Sequence, residues 1–237
     1  MGKSIEENDF QKGEILLFDK ELDWTSFDLV RKLRNFLCRQ TGIKKLKVGH
    51  AGTLDPKATG LMIVCTGKET KNIDLIQAKE KEYIATIKLG ATTPSYDLET
   101  EENETFNTNH LTPEFLKSTL KQFMGETDQV PPVFSAVKID GKRAYEHARK
   151  GSDVVLQPKK ITISEMEILD FSTQEVVLRI VCSKGTYIRA LARDLGKALN
   201  SGAYLTGLRR TRIGNFLLDD AWSVQNFIEN FKINETN

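Results

Sequence analysis

Residues 47–60 read Lys47-Val48-Gly49-His50-Ala51-Gly52-Thr53-Leu54-Asp55-Pro56-Lys57-Ala58-Thr59-Gly60, and the rest of the chain is organised around them. Fourteen residues hold three glycines, one of the chain's three histidines, and a single acid placed directly before a proline. Gly49 and Gly52 open backbone conformations closed to other residues and permit close approach of another molecule to the main chain. Pro56 disfavours helical backbone at Asp55, which places that carboxylate on extended or turn backbone. No second acid lies between Gly49 and Gly60, so Asp55 lacks the neighbour that a metal cluster or a glycosidase pair requires. Local chemistry leaves two readings open. Asp-Pro is also a common helix start, with Asp as the cap and Pro in the first turn.

Outward from this stretch, charge is unevenly spread. The 237 residues carry a net charge of +1, yet Arg31 to Lys47 holds seven basic residues and no acid, and Asp97 to Glu104 holds five acids and no base. The basic run points to a polyanionic partner; the acidic run reads as a solvated turn. Apolar and charged contents (39% and 28%) are those of a globular protein with an ample core. Cys38, Cys65 and Cys182 have neither zinc nor redox-motif spacing, and their odd number argues against a disulfide framework. The N-terminus has no signal-peptide core and no run is long enough for a membrane span, so a cytoplasmic location is expected. Gly67-Lys68 suggests a phosphate loop, but Glu69 stands where Ser or Thr is required.

In chain order, residues 1–12 read as a flexible tail and 13–237 as one catalytic domain. A strand is predicted over Gly13–Asp19. Thr25 or Ser26 caps a helix whose apolar face is Phe27, Val30, Leu33 and Leu37. Leu61–Cys65 is a strand, Asn72–Ala78 a short helix, and Tyr83, Ala85, Ile87 and Leu89 alternate as a half-buried strand. Thr112-Pro113 opens a helix through Phe123. A lobe is inserted at about 129–160, with a turn at Asp140-Gly141 and a helix over 143–150. Ile161–Phe171 and Glu175–Cys182 form a hairpin, followed by a helix to Leu199, a strand or hairpin from Tyr204 to Phe216, and a closing helix over Ala221–Phe231. The fold class is α+β.

Six stretches, in this order, resemble the TruB family of tRNA pseudouridine synthases: Lys20 with Trp24-Thr25-Ser26; Gly49 to Gly60; Lys81-Glu82-Tyr83; Gln129-Val130-Pro131-Pro132 with Phe134-Ser135-Ala136 and Lys138; Cys182 to Arg189; and Leu208-Arg209-Arg210-Thr211. The resemblance spans roughly Gly13 to Phe216. It implies the pseudouridine synthase fold, a mixed, mostly antiparallel central sheet flanked by helices, with the inserted lobe contacting RNA. It implies isomerisation of uridine to pseudouridine at position 55 of the tRNA T-loop, and it turns the reading of Asp55 from a cap to a nucleophile. Tyr83 would stack on the target base and Arg189 would pair with Asp55. His50 would enter the T-loop, Lys20 would support the site, and Tyr187, Arg209 and Arg210 would join the RNA- and substrate-binding set.

The reaction breaks N1–C1′ and joins C5 to C1′, without redox change, so no cofactor and no metal are expected. A carboxylate can attack C1′ or stabilise the sugar cation, and an arginine in contact keeps it ionised. A stacked uridine must first be flipped, at a cost of about a few kcal/mol that an aromatic platform offsets. The proton-abstracting base is left open between the Tyr83 hydroxyl and the Asp55 carboxylate. The expected partner is the T-arm stem-loop of tRNA, bound by a monomer. A non-enzymatic tRNA-folding chaperone using the same cleft is the alternative, with a guide-RNA-dependent relative as a third reading.

Two departures from the family pattern stand out. Lys20-Glu21-Leu22-Asp23 replaces Lys-Pro-x-Gly; if the glycine supplied positive φ, Asp is among the residues that tolerate it. About twenty residues follow Phe216, too few for a C-terminal PUA domain, so none is expected.

Overall fold

A computed structural model describes residues 9–134, 138–139, 142–143 and 156–233. The chain divides into two compact units, one of Met1–Lys81 with Arg209–Asn237 and one of Glu82–Leu208.

In the first unit, β1 (Ile15–Lys20) pairs antiparallel with β3 (Ala58–Thr66), from Ile15 opposite Cys65 to Lys20 opposite Gly60. The short β2 (Val48–His50) also pairs antiparallel with β3, His50 facing Val64. Residues 51–57 are therefore the link between two paired strands. Gly60 is required there by contact: its φ is +102°, and a Cβ would stand 2.3 Å from the Arg210 carbonyl oxygen.

Helix α1 (Ser26–Thr41) starts at Thr25, whose hydroxyl caps Asp28 while Asp28 bonds back to the Thr25 N–H; Gly42, in left-handed backbone, ends it. Its buried face is Ser26, Leu29, Val30, Leu33 and Leu37. Phe27, expected on that face, is 67% exposed; the stripe begins at Leu29 instead. After a turn of 3-10 helix and α2 (Ile73–Ala78), the chain leaves for the second unit. It returns along β12 (Ala203–Ile213), which pairs with β13 (Phe216–Leu217) and precedes the closing helix over Val224–Ile233. Phe227 in that helix meets Phe18 edge-on at 5.2 Å and lies near Phe36, Trp222 and Phe231. Phe10 belongs to the same cluster, 3% exposed and 6.1 Å from Phe231, so residues 9–12 are docked rather than part of a loose tail.

In the second unit, β4 (Lys81–Leu89) lies next to β11 (Glu175–Cys182), β11 next to β10 (Lys159–Phe171), and β10 next to β7 (Gly125–Gln129). The β10–β11 and β10–β7 ladders are antiparallel. Along β4 burial alternates strictly, with Tyr83, Ala85, Ile87 and Leu89 inward. Thr112 caps α3 (Pro113–Leu120), and α4 (Ile188–Ala198) follows β11. Both helices bury one face, which gives the α+β class. Two short hairpins complete the strands described: β5 (Ala91–Thr92) pairs with β6 (Glu104–Thr105), and within the lobe β8 (Lys138–Ile139) pairs with β9 (Lys142–Arg143). The Asp140-Gly141 turn, and the expected helix beyond Arg143, lie outside the described residues.

Candidate active site

The Asp55 link is built from its ends inward. The Ala51 N–H bonds the Ile63 carbonyl at 2.9 Å, Gly52 takes φ +113°, and Leu54 is buried at 4% exposure. The Ala58 N–H closes a turn on the Asp55 carbonyl at 3.0 Å, and β3 begins at once. Asp-Pro therefore starts a turn and not a helix. That outcome follows from Gly60, whose fit against Arg210 commits the chain to the sheet four residues after Pro56.

Two buried cations hold this link. Lys20 is fully buried, and its Nζ donates to the carbonyls of Glu21 (2.8 Å), Trp24 (2.7 Å) and Pro56 (3.4 Å). Burial pulls its pKa from 10.5 down to about 8; the Asp55 and Asp23 carboxylates resist that fall, and the Arg210 charge adds to it. Arg210, 1% exposed, donates Nε to Leu61 O at 2.8 Å, Nη2 to Gly52 O at 3.1 Å and Nη1 to Thr53 O at 3.4 Å. The RNA contact expected of Arg210 is thus corrected: its guanidinium is turned to three backbone carbonyls, and at 1% exposure no phosphate reaches it. Arg209 points the other way, 45% exposed, pairing with Asp19 at 2.7 Å. His50 ends β2 half-buried, and burial, then the Arg210 charge, hold its pKa below the usual histidine range, with the Gly52 backbone opposing. Its Nδ1 is buried without a hydrogen-bond partner among the described residues.

Asp23 answers the question raised by the missing glycine. It takes φ +63°, the left-handed backbone that Gly would have entered freely. Its N–H bonds Pro56 O at 2.9 Å, and its carboxylate receives Lys57 Nζ at 2.7 Å.

The second unit carries the other expected residues. Tyr83 is 8% exposed on the inward face of β4. Arg189, the second residue of α4, is 5% exposed, with Nε 3.4 Å from Asp97 Oδ2 and Nη1 donating to Ser95 O at 3.4 Å. A cation in the first turn of a helix opposes the helix dipole, and a buried carboxylate partner offsets this. Asp97 is itself only 3% exposed, so the acidic run is not wholly a solvated turn; its first member is a core ion pair. Tyr187 is the N-cap residue of α4, half-buried, and its backbone is held by Gln129, which accepts the Tyr187 N–H at 2.8 Å and donates to its carbonyl at 3.1 Å. Asp97 and Ser26 are the residues that sequence reasoning missed. In the sequence Ser26 reads as a candidate helix cap and as part of the first motif, with no role at the Asp55 turn; Asp97 reads only as a member of the acidic run.

Among the described residues no group of three His, Cys, Asp or Glu side chains could hold a metal ion. The sequence model of the TruB family pseudouridylate synthase N-terminal domain matches residues 39–188, and that of the tRNA pseudouridylate synthase B C-terminal domain matches 189–236. The chain belongs to the TruB family. This TruB-family chain is 60% identical over 220 residues to a protein of Phocaeicola vulgatus named tRNA pseudouridine synthase B, covering 93% of itself and 94% of that relative. A Flavobacterium johnsoniae protein of the same name is 52% identical over 225 residues, 94% and 98% covered. Among solved structures, a chain of a Cbf5-Nop10-Gar1 complex matches with TM-score 0.71 and 27% identity over 93% of this chain; the TruB-family chain spans about half (54%) of that one. Membership makes the protein a pseudouridine synthase, an isomerase, on the pseudouridine synthase fold.

Proposed function

We propose that this chain isomerises uridine to pseudouridine in tRNA, at position 55 of the T-loop, with Asp55 as the nucleophile. The observation that carries the reading is the Asp55 turn. A chain that needed only a link between β2 and β3 would not place two fully buried cations under a half-buried carboxylate. The names of relatives sharing more than half of the sequence supply the substrate class.

In this scheme the flipped uridine enters with C1′ facing Asp55. The carboxylate attacks C1′, or stabilises the cation there, as the N1–C1′ electron pair leaves with the base. The base turns and C5 bonds C1′, in the covalent branch displacing the Asp55 carboxylate with its electron pair; the C5 proton is then lost to a base while N1 gains one. Tyr83 stacks on the uracil ring, and Arg189 balances the Asp55 charge. Lys20 and Arg210 fix the turn so that little reorganisation is needed during reaction. The exchange conserves atoms and oxidation state. The T-arm stem-loop is the proposed partner of a cytoplasmic monomer.

The test is incubation with an unmodified T-arm hairpin and mapping of pseudouridine by base. Product at the T-loop uridine is expected; hairpin binding with no product overturns the proposal. Asp55→Asn is expected to bind the hairpin and give no turnover.

A further inference from the structure

One feature of the first unit takes no part in this scheme. An open groove of about 410 Å³ runs along the start of α1, lined by Asp23, Trp24, Asp28, Arg31, Lys32 and Asn35. That volume falls in the range of small-ligand sites. One aromatic–cation pair lines it, and a second joins Arg31 on its wall to Phe27 outside the lining. Lys32 Nζ lies 4.8 Å from the centre of the Trp24 ring, and the Arg31 guanidinium carbon lies 5.8 Å from that of Phe27. Phe27 is 67% exposed, far beyond what a core-packing phenylalanine shows.

The acids on the groove wall are already spent. Asp28 accepts the Thr25 N–H in the capping box and pairs with Arg31 at 2.9 Å, and Asp23 pairs with Lys57. Lys32 has no carboxylate partner among the described residues. Beyond it the chain runs to Lys47 with no acid at all. An aromatic face beside a cation that no carboxylate holds is what a surface for unpaired nucleic acid requires, the ring for a base and the charge for backbone. The groove also adjoins the reacting centre: Asp23, on its wall, is bonded through its N–H to Pro56, the residue after Asp55.

The geometry points to a subsite for one unpaired nucleotide of the RNA substrate, flanking the target uridine, with its base stacked on Trp24 and its phosphate held by Lys32 and Arg31. This rests on the RNA-modifying reading above. The flexible arm of Lys32 lets its ammonium leave the ring for the phosphate while the base takes its place. Asn35 offers a donor and an acceptor to the base edge.

Trp24 and Trp222 are the two tryptophans of the chain, so Trp222→Phe leaves Trp24 as the single indole and keeps an aromatic ring against Phe227. Titrating this variant with the unmodified T-arm hairpin is expected to quench its fluorescence along the binding curve. In the unaltered background, Trp24→Ala and Lys32→Ala are each expected to raise KM about tenfold, the low end of what one stacked base contributes, with kcat changed less than about twofold. Lys32→Ala should also flatten the slope of log affinity against log salt by about 0.7. Trp24→Phe, which restores a stacking face, should recover KM. Unquenched fluorescence at saturating RNA, or an unchanged KM in both alanine variants, overturns the subsite. Conversion of the hairpin without quenching would sink the subsite and leave the reaction standing. Quenching without conversion would do the reverse.

Discussion

The Ser26 hydroxyl holds both backbone groups of Leu54: Oγ accepts the Leu54 N–H at 2.9 Å and donates to the Leu54 carbonyl at 3.0 Å. Both residues are buried, and Leu54 is the neighbour of Asp55. The start of α1 thereby fixes the height of the carboxylate turn. Ser26→Ala leaves two buried backbone groups without partners, a cost of about 1–3 kcal/mol. Urea denaturation should show that loss. Steady-state assays should show kcat reduced by about tenfold, since small displacements of a reacting group are costly, with KM little changed.

Lys20 should titrate near pH 8, apart from the other lysines, in 15N-detected spectra of the side-chain amines. Asp55 holds that value up, so Asp55→Asn should lower it further. The sign for stability follows from burial. Between about pH 8 and 10.5 the unfolded chain keeps the proton that the folded chain has released, so this group's contribution to stability rises with pH across that window and is smallest below it. Lys20→Met should remove that increment from the pH dependence of denaturation.

Arg209 and Arg210 are adjacent in sequence and opposite in role, and salt dependence separates them. Arg209→Ala should flatten the slope of log RNA affinity against log salt by about 0.7, the share of one phosphate contact. Arg210→Met should leave the slope alone. It should cost about 3 kcal/mol or more in denaturation, because the carbonyls of Leu61, Gly52 and Thr53 lose their donors.

Asp97→Ala removes the carboxylate beside a guanidinium that is 5% exposed. Removing one partner of a buried ion pair costs up to about 3–5 kcal/mol, and thermal melting should register a loss. Asp97→Asn, which keeps a polar acceptor, should lose less. Equal melting temperatures for Asp97→Ala and the unaltered chain would refute the pair as a core contact.

Much of the scaffold was legible because it obeys local periods. The alternation in β4 shows in four consecutive inward residues, and the hairpin of β10 and β11 shows in two apolar runs around a tight polar turn. The tolerance of Asp23 for positive φ follows from its short polar side chain, and the backbone bears it out. At the start of α1 the apolar spacing puts Phe27 on the buried face, but Leu29 lies in one i, i+4 row with Leu33 and Leu37 and takes that place. The core took the aliphatic side chain and left the aromatic one outside.

The sequence by itself determined the class of the fold, the family, and the candidacy of Asp55, since each depends on residue types at short, ordered spacings. Tertiary structure decided what the charged residues do. Arg210 lies roughly 150 residues along the chain from the carbonyls it holds, and Arg189 lies 92 beyond Asp97. An arginine written beside another arginine reads as a basic patch, and an aspartate among glutamates reads as solvent-facing. Burial reverses both readings: a charge removed from water must find a partner, and only the folded chain brings that partner within reach.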